Sequence, residues 1–174
     1  MARCRYGEKN SDPARRAYIA AVILGLNDAL VELTGALAGF TVSLGDSRTI
    51  ALAGLTTGVA ATLSMASAEY LAEKSRRDLR IALKASLSTG LAYLLTTTVL
   101  LAPYLFIKDP VRALVITVSL AALATAGYSW IVSELQCRDF RKYLFETLAL
   151  SAVVAFLCFA IGFGANKIFS VAPA

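Results

Sequence analysis

The stretch Ala17–Thr41, AYIAAVILGLNDALVELTGALAGFT, decides the fold of this 174-residue chain. As a helix rising about 1.5 Å per residue, it is long enough to cross about 30 Å of hydrocarbon. It contains no Lys or Arg, yet it holds Asp28 and Glu32. A carboxylate near the middle of a bilayer costs about 3 kcal/mol to insert, so it indicates a functional site. Because helix residues four apart share a face, both carboxylates lie on one side.

Four further apolar stretches follow, and together the five predict an all-α membrane protein. Hydrophobic residues make up 57% of the chain and charged residues 17%, which is too apolar for a soluble globular domain. The predicted spans are about 17–41, 49–72, 85–107, 110–133 and 143–165. Their short connections leave no room for a soluble domain, only a basic tail over residues 1–16. The first span is too long for a signal peptide and carries two carboxylates.

The basic residues are distributed unevenly between the two sides of the predicted bundle. Five precede the first span, five lie between spans two and three, and three lie between spans four and five, whereas the other side has four. By the positive-inside rule the N-terminus is cytoplasmic and the C-terminus is outside. We expect the protein to be embedded in the cytoplasmic (cell) membrane. The net charge of +5 is therefore an orientation signal, and no nucleic-acid partner is expected.

Short-range signals predict where the helices start and stop. The predicted starts are Asp12-Pro13, Asp46 or Ser47 as the cap of span two, and Asp109-Pro110 before span four. Pro103 predicts a kink or an early stop in span three. The sequence Gly162-Phe163-Gly164 predicts the end of span five.

Several kinds of chemistry are excluded or disfavoured by what the sequence contains. It has no His, which rules out histidine acid–base catalysis and His-containing zinc sites. Cys4, Cys137 and Cys158 form no CxxC pair, so a structural disulfide is not expected. With no nucleophile–base pair and no nucleotide-binding loop, we expect neither an enzyme nor a bound cofactor.

The strongest metal-ligand candidates are Asp28 and Glu32 in span one, with Met65 and Glu69 in span two. A carboxyl without a basic partner can exchange its proton for a divalent cation, because ligation requires the deprotonated form. The alternative is that both span-one carboxyls are protonated and only hydrogen-bond to hydroxyls. A thioether beside carboxylates favours transition metals over Mg²⁺ or Ca²⁺. Met65 alone is equally explained as a flexible core residue.

Two further sets of residues are weaker candidates. Glu73 and Glu146 lie near the predicted cytoplasmic interface, where they could attract metal or simply be solvated. Two GxxxG motifs, Gly35 with Gly39 and Gly54 with Gly58, permit close helix packing. The motif leaves open whether that packing is within one chain or along a dimer seam.

Two motifs resemble a known family. Gly25–Glu32 (GLNDALVE), followed by Gly35 and Ala38-Gly39, resembles the first-span signature of the vacuolar iron transporter family, and Ser64–Leu71 (SMASAEYL) resembles its second-span signature. The resemblance implies a dimeric five-helix transporter that moves Fe²⁺, and often Mn²⁺, out of the cytoplasm in exchange for protons. It also implies that Asp28, Met65 and Glu69 lie on the metal path.

The chain departs from the family pattern in three places. Ala29 stands where the family usually has Gly, and Glu32 stands where it usually has Thr, which adds a charge to the path. Many relatives carry a long, carboxylate-rich domain between spans two and three that gathers metal. Here that linker is short and mainly basic, so we expect a short form without this domain.

These observations lead to the hypothesis of a homodimeric, proton-coupled exporter of Fe²⁺ or Mn²⁺ embedded in a lipid bilayer. Two rival hypotheses remain. One is a membrane assembly or anchoring subunit whose carboxylates only hydrogen-bond between helices, and the other is a passive cation channel.

Overall fold

A computed structural model describes residues 13–136 and 139–169 of the chain, and these residues form five helices joined by short turns. The helices are α1 (Pro13–Leu44), α2 (Ser47–Lys74), α3 (Leu79–Phe106), α4 (Pro110–Gln136) and α5 (Phe140–Phe169). All five are long and apolar enough to cross a membrane, and no strand occurs in the described ranges. The predicted all-α, five-span architecture is confirmed, and the protein is an integral multi-pass membrane protein.

The helices are longer than the predicted spans at most of their ends. Residues 13–16, predicted to belong to the basic tail, form the first turn of α1. Asp12, Cys4 and Cys137 lie outside the described residues. A turn over residues 75–78 joins α2 to α3, so the linker between these spans is indeed short.

The helix caps predicted at Asp46 and Asp109 are both present. Asp46 precedes α2 and its carboxylate accepts the backbone N–H of Thr49 at 2.8 Å and the Thr49 hydroxyl at 2.9 Å. These hydrogen bonds hold the pKa of Asp46 below its ordinary value. Asp109 likewise accepts the backbone N–H of Val111 at 3.0 Å, next to the predicted Pro110 start of α4.

The early stop considered at Pro103 does not occur, and the helix end predicted at Gly162-Phe163-Gly164 is wrong. Pro103 lies inside α3, which continues to Phe106. Pro103 has no N–H to bond to the carbonyl of Val99, but only one turn of helix follows it, so the lost hydrogen bond lies near the end of α3. In the same way, α5 continues through Gly162-Phe163-Gly164 to Phe169. Gly162 serves packing instead, because a Cβ there would lie 2.5 Å from the carbonyl oxygen of Gly39.

Helix α1 is the centre of the bundle. It contacts each of the other four helices, whereas α5 contacts only α1 and α4 within the described residues, and α2 packs mainly on α3. We call the end of the bundle with the turns at Gly45-Asp46 and Ile107–Asp109 the Gly45 end. The opposite end, with the turn over residues 75–78, is the Ser75 end.

A hydrophobic cluster joins α1, α2, α3 and α4 towards the Gly45 end. Its buried members are Leu30, Leu33, Leu37, Ile50, Ala51, Leu100, Leu101, Tyr104, Ala113 and Ala121. Within a bilayer such a cluster stabilises the bundle through van der Waals packing, since lipid tails are as apolar as its side chains. This cluster lies away from the Ser75 end.

The two GxxxG motifs pack helices within the chain. A Cβ on Gly39 would lie 2.9 Å from the carbonyl oxygen of Cys158, so this glycine lets α5 approach α1. Gly35 faces Val154 of the same helix. Gly54 and Gly58 face α3 in the corresponding way, against Leu101 and Thr97. All four glycines therefore already have partners inside one chain.

Candidate functional site

Asp28 and Glu32 lie on a stripe of α1 that its neighbours leave partly open at the level of these residues. Gly25 is covered by the backbone of Thr89 in α3, and Gly35 and Gly39 are covered by α5. Gly35 and Gly39 follow Asp28 and Glu32 by seven residues, so they lie on the same side of α1, nearer the Gly45 end. At the level of the carboxyls that side is less covered: Asp28 is half-buried and Glu32 is exposed. The two carboxyls are close enough to interact electrostatically. The predicted shared face is therefore real, and the neighbouring helices do not seal it.

Tyr93 of α3 holds Glu32 from the inner side of this stripe. Its hydroxyl donates a hydrogen bond to Oε2 of Glu32 at 2.9 Å, and its side chain is fully buried. Tyr93 also interacts electrostatically with Asp28. Sequence reasoning missed this residue. The available signal was that a buried Tyr hydroxyl needs a hydrogen-bond partner.

No basic side chain neutralises the two carboxyls in the described part of the chain. The ion pairs there are Arg77–Glu73, Arg112–Asp109 and Lys142–Asp139. Residues 13–136 and 139–169 also contain no group of three or more His, Cys, Asp or Glu side chains that could hold a metal ion. Within these ranges, Asp28 and Glu32 therefore form a pair that no third carboxyl, Cys or His joins.

Met65 and Glu69 lie one turn apart on α2, and both are half-buried. Glu69 interacts electrostatically with Glu73, one turn nearer the Ser75 end. It does not join Asp28 and Glu32 in a three-carboxyl group within the described ranges. The four predicted metal ligands are therefore found as two pairs on two helices.

The two weaker candidates differ from each other. Glu73 is buried and forms a salt bridge of 2.8 Å with Arg77, one turn further along the chain. Glu146 is exposed on α5 near the Ser75 end. Neither contacts the Asp28–Glu32 pair through a hydrogen bond among the described residues.

Five apolar helices, each long enough to cross a membrane, define a multi-pass membrane protein, and its first helix carries two neighbouring carboxyls. The model of the VIT family matches residues 19–83, which cover most of α1, all of α2 and the start of α3. The chain is 26% identical over 180 aligned residues to vacuolar iron transporter homolog 1 of Arabidopsis thaliana, covering 92% of this chain and 88% of that protein.

A second relative, vacuolar iron transporter homolog 4 of Arabidopsis thaliana, is also 26% identical over 180 aligned residues. This match covers 92% of the chain and 89% of that protein. The match to the VIT family model includes both motifs of α1 and α2, and together with the two relatives it confirms the resemblance seen in those motifs.

Proposed function

We propose that this protein exports a divalent transition metal, Fe²⁺ or Mn²⁺, from the cytoplasm in exchange for protons. The observation that carries the proposal is the carboxyl pair Asp28–Glu32, which lies on the open stripe of α1 and has no basic partner among residues 13–136 and 139–169. Such groups are expensive in a membrane and are retained for ion or proton transfer. The names of the two plant relatives favour iron among the divalent metals.

The proposed path begins at the Ser75 end, which the positive-inside rule predicts to be cytoplasmic. Metal enters past Glu69 and is bound by Asp28 and Met65, with Glu32 as an additional oxygen ligand. The carboxyls release protons as they bind the cation. Protons arriving from the opposite side displace the metal and return the carboxyls to their neutral form.

We further propose that the working unit is a homodimer. One chain supplies too few ligands for a transition-metal ion within the described residues. A second copy against the open stripe of α1 would place its own Asp28, Glu32 and Met65 opposite the first set. Two such sets give six oxygen and sulfur ligands, which is suitable for Fe²⁺ or Mn²⁺.

One observation favours the anchoring-subunit hypothesis for part of the site. Glu32 already has an interhelical hydrogen bond with Tyr93, as a purely structural carboxyl would. Asp28 has no such partner among the described hydrogen bonds, so Asp28 discriminates between the hypotheses. Asp28→Asn keeps the hydrogen-bonding capacity of the side chain but removes its charge.

The test is metal uptake into proteoliposomes with an acidic interior. We expect wild type to load Fe²⁺ or Mn²⁺ and Asp28→Asn to lose about 100-fold or more in uptake, because loss of a direct ligand costs at least as much as loss of its supporting groups. The matched control is Glu134→Gln, which makes the same type of change at an exposed carboxyl near the end of α4. It should transport like wild type.

The alternatives give different results in the same vesicles. Uptake that is independent of the pH gradient would identify a passive channel. Folded wild-type protein without metal flux would support the anchoring subunit instead. Full uptake by Asp28→Asn would overturn the role proposed for Asp28.

A further inference from the structure

The side chain of Glu32 is tethered to α3 by one of its two oxygens. The Tyr93 hydroxyl donates to Oε2 at 2.9 Å. No described hydrogen bond uses the other oxygen, Oε1. Glu32 itself is exposed on the open stripe of α1, whereas the Tyr93 ring is completely buried. The hydrogen bond therefore joins the long, flexible side chain of Glu32 to the buried ring of Tyr93.

The position of Tyr93 is set by close contacts of α3 with both neighbouring helices. One turn earlier, the Thr89 hydroxyl donates to the carbonyl oxygen of Ala21 in α1 at 3.1 Å. On the other side, the Ser86 hydroxyl donates to the carbonyl oxygen of Ala66 in α2 at 2.6 Å. A ring that is buried on a helix fixed on two sides has little freedom to move.

We propose that Tyr93 is a positioning residue for the metal path: it holds the Glu32 carboxylate beside Asp28 so that both act on the same cation. This inference rests on the proposed function. A Glu side chain on an open helix face has three rotatable bonds, and ordering it on ligand binding costs free energy. A hydrogen bond that orders it beforehand lowers that cost. Tyr93 therefore affects how tightly metal is held more than how fast a saturated site turns over.

The chain contains a matched control for this residue. Tyr104 is also buried on α3 and also hydrogen-bonds to α1, with its hydroxyl 2.8 Å from the Thr41 hydroxyl. Tyr104→Phe removes the same atom from the same residue type on the same helix. The difference is that its partner is a hydroxyl and not a carboxylate.

The experiment measures Mn²⁺ uptake into interior-acid proteoliposomes over a range of Mn²⁺ concentrations. Tyr93→Phe should raise the half-saturating concentration about tenfold with little change in maximal rate, as expected for losing a hydrogen bond to a charged group. Glu32→Gln should weaken binding to a similar degree. In the Glu32→Gln background, Tyr93→Phe should add less than about twofold, because the two residues act as one unit. Tyr104→Phe should leave the half-saturating concentration unchanged.

Glu32→Asp provides a second test should Tyr93→Phe fold poorly. It keeps the charge but shortens the side chain by one methylene, so it moves the carboxylate away from the Tyr93 hydroxyl. It should also raise the half-saturating concentration.

The inference is overturned if Glu32→Asp and Tyr93→Phe bind metal like wild type, or if Tyr93→Phe and Tyr104→Phe weaken binding equally. In both cases gradient-driven uptake by wild type persists, so the proposed function stands. Absence of that uptake in folded wild type overturns the proposed function itself.

Discussion

Two tyrosines of α3 form hydrogen bonds to α1, one to a hydroxyl and the other to a carboxyl. Tyr104 lies in the hydrophobic cluster near the Gly45 end and meets the Thr41 hydroxyl. Thr41 donates its own hydrogen to the carbonyl oxygen of Leu37 at 2.7 Å, so Tyr104 is the donor between the two hydroxyls. Tyr93 instead donates to a carboxylate at the edge of the bundle.

This difference shows how one helix pair serves two purposes. The hydroxyls of Tyr104 and Thr41 both have neutral hydrogen-bond partners, and apolar side chains surround them. This contact therefore stabilises the packing of α3 against α1. Tyr93 instead donates to Glu32, which is exposed in one chain. This contact therefore holds an acidic group at the surface of the α1–α3 pair. We therefore expect substitutions near Tyr104 to change stability and those near Tyr93 to change metal binding.

The comparison between the two tyrosines predicts the largest loss of stability for Leu37→Ala, in the hydrophobic cluster that contains Tyr104. Leu37 is fully buried, so its truncation should lower the free energy of unfolding by about 2–5 kcal/mol. Thermal unfolding in detergent measures the loss, and the half-saturating Mn²⁺ concentration of the folded fraction should not change. Leu95→Ala on α3 is the control, because that side chain is 67% exposed and should matter little.

An intermediate effect is expected where α5 closes the same end of the bundle. Gly162→Ala places a Cβ 2.5 Å from the Gly39 carbonyl oxygen, and relieving that clash should cost about 1–3 kcal/mol of stability. Gly164→Ala meets nothing within 4 Å and should be neutral or slightly stabilising, since Ala favours a helix. Equal melting temperatures for the two variants would contradict the close approach of α1 and α5.

The smallest effect is expected at the cap of α2. Asp46→Ala should lower the melting temperature, whereas Asp46→Asn should not, because Asn also accepts the Thr49 N–H. The pKa of Asp46 is lowered by folding, so its contribution is present above the pKa of the unfolded chain and is lost as pH falls through the folded pKa. Wild type should therefore lose stability relative to Asp46→Asn between neutral pH and about pH 3. Parallel losses in both proteins would count against the cap.

Much of the fold could be predicted from sequence because its signals are local. The length of each apolar stretch defined five spans, and Asp46 and Asp109 marked two helix starts correctly. The shared face of Asp28 and Glu32 follows from helical spacing alone. The match to the VIT family supports the two motifs on which the resemblance was based.

The rest could not be predicted because it depends on which helix packs where. The hydrogen bond between Tyr93 and Glu32 joins residues on different helices, and nothing in either segment specifies the partner. The same reason explains the error at Gly162, which was interpreted as a local helix break although its role is to admit α1. At Pro103 the sequence left a kink or an early stop open, and α3 continues for three more residues, so the proline alone did not define the helix end.

The attachment of α5 has a consequence for how the protein is made. Because N-terminal segments emerge from the ribosome first, α1 enters the membrane well before its partner α5 is synthesised. Until then the Gly35 and Gly39 side of α1 has no neighbour, although α2 and α3 can already pair. The central helix is thus made well before the helix that covers its Gly35 and Gly39 side, so the packing around α1 is completed only after α5 has been synthesised.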